Sequence, residues 1–209
     1  MPSDSLALSV LQRHSALRVR QTKEWGEILV GFEGRNRYQV VGDDGQALFI
    51  AGEVGSGLGL FLLRSFLKAS RPFTMELKTP GGATALRLQR PWRFWLSQMD
   101  IEDGEGHKLG SVHQRFAFFA RLYDVLGPSG ELLATLRGPF FKPWTFHIEQ
   151  NGQEVGLIQK RWSGLGKELF TDADNFGVTF ENLRDARLRT LVMAATFLLD
   201  FVHFENRDG

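Results

Sequence analysis

The 209-residue chain contains no cysteine. This excludes a disulfide scaffold, a thiolate metal site, a cysteine nucleophile and S-acylation together. Net charge is nearly absent too, since 25 Lys and Arg against 24 Asp and Glu leave +1. A dedicated nucleic-acid binder carries a clear basic excess, and an acidic tail the reverse, so no nucleic-acid partner is expected. A long apolar run is also missing: the uncharged stretch Thr190 to Leu199 covers ten residues before Asp200 interrupts it. A membrane-spanning helix needs ~20 predominantly apolar residues. The opening residues show neither a basic n-region nor a continuous apolar segment, so no secretory signal is expected. There is no Gly after Met1 and no terminal Cys, which leaves no motif for a lipid anchor. The expected address is cytoplasmic.

What is abundant points to strands. The chain has 18 Phe and 5 Trp against 2 Tyr, with 23 Gly. Rings favour pleated surfaces and glycines favour tight turns. A turn glycine followed by a short apolar segment recurs at Gly45, Gly82, Gly106, Gly130 and Gly152. The last four lie 24, 24 and 22 residues apart, which is the length of two strands with their turns. That spacing predicts an antiparallel meander, because parallel βαβ units would place helical patterns between the strands. Residues 1–22 read as a lead-in segment, with helical spacing of Leu6, Val10, Leu11 and Leu17. Residues 55–70 are glycine-rich and fit a short helix or a strand with a loop.

The C-terminal region differs. Asn182, with Asp185 three residues on, suggests a helix start, and the expected helix covers about 183–204. Its apolar side chains surround it, so it needs cover on every side. A sheet curled into a closed barrel supplies that cover and removes its own exposed edges. The predicted fold is therefore mainly β (α+β), one closed antiparallel barrel over 23–209 around a buried hydrophobic C-terminal helix.

The block from Phe170 to Phe180 (FTDADNFGVTF), followed by the helix ending Phe197-Leu198-Leu199-Asp200-Phe201, resembles the C-terminal signature of the phospholipid scramblase family. Gly31-Phe32-Glu33, Asn36-Arg37-Tyr38, Ser70-Arg71-Pro72-Phe73-Thr74, Gly138-Pro139 and Gly156 to Lys160 with Trp162 and Gly164 are similar to further family segments, in the same order. The family belongs with the tubby-like and LURP-one-related proteins, and the resemblance implies their fold, a barrel closed around a hydrophobic helix. It also implies calcium-stimulated, ATP-independent phospholipid movement between leaflets, with a phospholipid surface as partner at the inner face of the plasma membrane. The family's Cys-rich acylated segment would fall between Arg90 and Met99, which here holds no Cys.

The resemblance places the family's calcium segment at Asp172. Asp172, Asp174 and Gly177 match positions 1, 3 and 6 of an EF-hand-like loop. Phe176, Val178 and Phe180 would offer only backbone oxygens, and the last position is Leu183, so any Ca²⁺ affinity is expected near ~10⁻³ M or weaker. The alternative is a turn, favoured by Asp for its local hydrogen bonds, leading into a strand with Phe176, Val178 and Phe180 inward.

No other motif requires a cofactor or supports an enzyme. His14, His107, His113, His147 and His203 lack metal-ligand spacing. Gly55-Ser56-Gly57-Leu58-Gly59 lacks the lysine of a phosphate loop, and no serine sits in a nucleophile elbow. Asp200, in an apolar stretch, must be paired, hydrogen-bonded or protonated, with an Arg near the barrel mouth as one expected partner. Lipid contact requires cations for headgroups and rings for the interface. Arg90, Trp92, Arg93 and Trp95 form the densest such cluster, Arg115 with Phe116, Phe118, Phe119 and Arg121 a second, and Lys142 with Trp144 a third, with ordinary strands whose rings face inward as the alternative. The expectation is reversible binding to anionic phospholipid through a docking segment at 90–95. Scrambling between leaflets and a protein-interaction scaffold are the alternatives.

Overall fold

The computed structural model describes residues 6–21, 32, 37–54, 72–93, 95–142, 144–160 and 175–203. Twelve strands run in sequence between a short first helix, α1 (Leu6–Leu11), and a long last one, α2 (Ala186–His203). They are β1 (Ala16–Gln21), β2 (Arg37–Gly42), β3 (Ala47–Glu53), β4 (Phe73–Lys78), β5 (Thr84–Arg90) and β6 (Gln98–Asp103). The second half is β7 (Lys108–Arg115), β8 (Ala120–Leu126), β9 (Leu132–Pro139), β10 (Thr145–Gln150), β11 (Gln153–Lys160) and β12 (Asn175–Thr179). Each strand pairs antiparallel with its neighbours in sequence, and β1 pairs with β12 to close the barrel. The expected meander and closure are both present.

The glycine spacing reflects a repeated hairpin. Gly45, Gly82, Gly106 and Gly130 all have φ between 82° and 87°, and each donates its N–H to the carbonyl three residues back. A one-residue register shift follows in the adjoining strand pair, at Val40/Val41, Leu77/Lys78, Ile101/Glu102 and Val125/Leu126. This is a type I turn ending in a glycine bulge, which needs the left-handed region at its last residue. The fifth turn is Asn151-Gly152, with both residues at positive φ, the two-residue form that Asn-Gly favours.

The N-terminal reading changes. The helix spans only Leu6–Leu11, and residues 16–21 are the first barrel strand. Leu17 and Val19 are buried while Arg18 and Arg20 alternate with them, so a period of two replaces the helical one at Leu17. The start of α2 changes as well: Asp185 is the cap, its Oδ1 accepting the Leu188 N–H at 2.7 Å. The capping residue thus lies three positions beyond Asn182, immediately before the first helical turn.

Helix α2 fills the barrel. Thirteen of its residues are buried, from Leu188 to Phe201, and Leu86, Leu88, Ile101, Val112, Val125, Leu136, Ile148 and Ile158 pack on the same core from the strands. Tyr38 meets Phe197 edge-on with ring centroids 5.2 Å apart, and Phe73 lies 4.7 Å from Phe201. At Gly110 the wall comes so close that a Cβ would stand 2.8 Å from Leu191 Cδ1. None of the helices among the described residues is long and apolar enough to cross a membrane.

Candidate functional site

In an antiparallel meander, successive connections alternate between the two ends of the barrel. The five glycine turns therefore share one end. Of the connections at the other end, where α2 also finishes, β5–β6, β7–β8 and β9–β10 fall largely within the described residues. Ten large apolar side chains are exposed among the described residues, and nine of them lie at or beside these three connections. They are Trp92, Trp95 and Leu96, then Phe116, Phe118 and Phe119, then Phe140, Phe141 and Trp144. Only Leu132 lies elsewhere.

This rim contains most of the lipid-contact residues expected from the sequence, Phe116, Phe118 and Phe119 among them, and adds Phe140 and Phe141. Trp92, Arg93, Trp95, Lys142 and Trp144 are exposed on it. Arg90 is not: it is 3% exposed, its Nη2 donating to Ser97 Oγ at 2.8 Å and its guanidinium lying 5.0 Å from the Phe201 ring centroid. It faces the barrel interior because β5 places alternate residues inward, so its job is to hold the last turn of α2. Phe140 and Phe141 were concealed, and the outward face of 116–119 stayed open beside an inward-facing strand, because a strand core and an exposed loop can share one composition. Only the ends of β7 and β9 separate them.

Arg121 fixes the shape of this rim. Its Nη2 donates to the carbonyls of Pro139 (3.2 Å) and Lys142 (2.9 Å), and its guanidinium lies 4.5 Å from the Phe146 ring centroid. One side chain from β8 thereby ties the β9–β10 connection in place. Phe116 and Phe118 pair edge-on at 5.0 Å, and Phe140 and Phe141 at 5.5 Å.

Just inside the rim, Asp200 is buried in the last turn of α2. Its Oδ1 accepts from Lys160 Nζ at 3.1 Å and its Oδ2 from the Tyr38 hydroxyl at 2.8 Å. The partner is thus a lysine at the end of β11, where an arginine was expected. Both charged side chains are 9% exposed, so the charges neutralise each other inside the barrel mouth. His203 is similarly satisfied, its Nε2 lying 2.6 Å from the Tyr123 hydroxyl. Burial holds the Tyr123 phenol well above its usual range.

The calcium reading is only partly within reach of this geometry. Asp172 and Asp174 lie outside the described residues, as does the segment 55–70. Phe176 and Val178 sit in β12 between β1 and β11 and pair with strands on both sides. Their carbonyls are thereby committed to the sheet. Phe176, Val178 and Phe180 bury their side chains in the core, at 2%, 0% and 3% exposure. The strand alternative describes the side chains of Phe176 and Val178 in β12, with Phe180 directly after it.

At the opposite end, Arg189 on α2 donates to the carbonyls of Leu11 (3.3 Å), Gln12 (3.1 Å) and His14 (2.9 Å). Leu11 ends α1 and Gln12 and His14 follow it directly, so Arg189 docks the end of α1 onto the barrel floor. Burial pulls its pKa below the usual range for Arg.

The model of the Scramblase family matches residues 1–206. The chain is 30% identical to phospholipid scramblase 2 of Bos taurus over 216 residues, covering 97% of this chain and 72% of that protein. It is 29% identical to phospholipid scramblase 1 of Homo sapiens, covering 95% of this chain and 66% of that protein. A crystal structure of a protein from Arabidopsis thaliana is similar over 88% of this chain and 91% of that one, at 11% identity and a TM-score of 0.49.

Proposed function

This chain belongs to the Scramblase family, and on that premise we propose that it acts at phospholipid surfaces as a water-soluble barrel that binds anionic bilayers reversibly. The supporting observation is the sheathing of α2. Its apolar residues already have a dry environment in the barrel and do not require fatty-acyl chains to cover them. Withdrawing the helix would expose on the order of 1,000 Å² of apolar lining, and at ~25 cal/mol per Å² that costs tens of kcal/mol. It would also break the Asp200–Lys160 pair and carry a carboxylate toward the bilayer, a further ~3 kcal/mol against insertion. The family relationship points to phospholipid as the partner, and the packed helix favours binding from one side.

The alternative within the family is transfer of lipid between leaflets with calcium. Two assays on the same protein separate the readings: pelleting with phosphatidylserine-containing vesicles, and dithionite quenching of a labelled lipid, each with and without calcium. Pelleting without accelerated quenching is the expected result. Accelerated quenching would replace the binding reading with scrambling. Failure in both assays would leave an interaction scaffold.

A further inference from the structure

Among the described residues, the strand connections at the barrel's two ends differ in chemistry, although Arg13, Arg184 and Arg187 are exposed beside the glycine turns. The three rim connections 91–97, 115–121 and 139–144 contain four cations, Arg93, Arg115, Arg121 and Lys142, and no carboxylate. The five turns 43–46, 79–83, 104–107, 127–131 and 151–152 contain four carboxylates, Asp43, Asp44, Glu105 and Glu131, and no Lys or Arg. Exposed rings interleave with the cations at one end, while glycine and short polar residues occupy the other. A set of exposed rings this concentrated marks a contact surface. Trp and Phe beside Lys and Arg suit the boundary between headgroups and acyl chains, where rings enter and cations meet phosphate.

We propose that the barrel docks upright on an anionic phospholipid bilayer through these three connections, with Trp95, Phe118, Phe119 and Phe141 entering the interface together and Arg93 and Lys142 meeting headgroup phosphates. This inference rests on the membrane-binding reading above and adds to it the surface and the orientation. It enlarges the expected 90–95 segment to three loops and removes Arg90 from the contact. Arg121 is a positioning residue here, because its bonds to Pro139 and Lys142 hold the third loop level with the others. Upright docking also aims the end of α2 at the bilayer.

The absence of cysteine permits a direct test. Phe118→Cys places a label on the rim, and Ser129→Cys places one at the opposite end. Each is coupled to an environment-sensitive fluorophore and mixed with phosphatidylcholine vesicles containing phosphatidylserine. The rim label is expected to shift to the blue while the opposite label stays in water. In pelleting, Trp95→Ser/Phe119→Ser/Phe141→Ser should weaken binding at least about tenfold. The three side chains are 87%, 88% and 91% exposed, so thermal melting should be unchanged. Arg93→Gln and Lys142→Gln should each weaken binding roughly fivefold, on the anionic vesicles only. Wild-type pelleting with both labels unshifted, or with the triple variant binding normally, would overturn the rim while leaving the membrane reading intact. Rim variants that alter only self-association, seen by light scattering, would assign the rings to a second copy of the chain and overturn lipid docking. If the wild-type protein fails to pellet, both readings fall.

Discussion

Individual charges determine how firmly the two ends of α2 are held. Asp200 and Lys160 form a pair at 3.1 Å with little access to water, and such a pair contributes little net stability, whereas removing one partner is expensive. Asp200→Leu should lower unfolding stability by about 3 kcal/mol, and adding Lys160→Met should restore most of it. Urea midpoints of the single and double variants test this. Asp43 acts at the far end. Burial opposes its ionisation, but hydrogen bonds from Ser15 Oγ, His14 Nδ1 and the Ser15 N–H outweigh that and hold its pKa far below the usual range for a carboxylate. Asp103 moves in the same direction. Burial resists its charge, yet the His107 N–H, the His107 ring and the Glu105 N–H favour it. A depressed folded-state pKa contributes stability above the unfolded value that is lost as pH falls through the folded one. Asp43→Asn should therefore destabilise the protein by ~1–2 kcal/mol at neutral pH. The difference from wild type should shrink progressively below about pH 4, as thermal melts at graded pH would show.

Among the elements, β7 carries the closest contact between wall and helix. A Cβ at Gly110 would lie 2.2 Å from the Leu126 carbonyl oxygen and 2.8 Å from Leu191 Cδ1. Backbone on one side and a packed leucine on the other leave no direction for relief, so β7 must leave either β8 or α2. Gly110→Ala should cost about 2–3 kcal/mol, measurable by chemical denaturation. Much of this level was legible in sequence. The glycine rhythm marked the hairpins because a positive φ at a turn's end excludes most side chains. The alternation of Phe176, Val178 and Phe180 marked an inward-facing strand. Residues 16–21 were misread as a helical continuation because Leu17 fits both periods. Pairing with β2 and β12 settles it, and no short segment announces its partners.

For the whole molecule, α2 is the core on which the sheet closes. A chain ending at Asn182 would keep all twelve strands around an empty axis. It is expected to show no cooperative thermal transition and no near-ultraviolet dichroism, with strong dye binding to exposed apolar surface. A sharp melt from that truncated chain would show that the sheet closes without its helix.

Composition, the turn glycines and the all-round apolar tail determined that a meander must wrap a helix, since each is a local demand of backbone geometry or solvation. The Arg90, Trp92, Arg93 and Trp95 cluster likewise showed that ring and cation coincide. What only the tertiary structure decided is which of these residues face outward and which face each other. Arg90 turns inward by strand parity, Lys160 meets Asp200 across 40 positions of chain, and three separate loops come to one rim because antiparallel strands return to it in alternation. Those outcomes depend on register and closure, which are set by the summed packing of the barrel and by no single segment of its sequence.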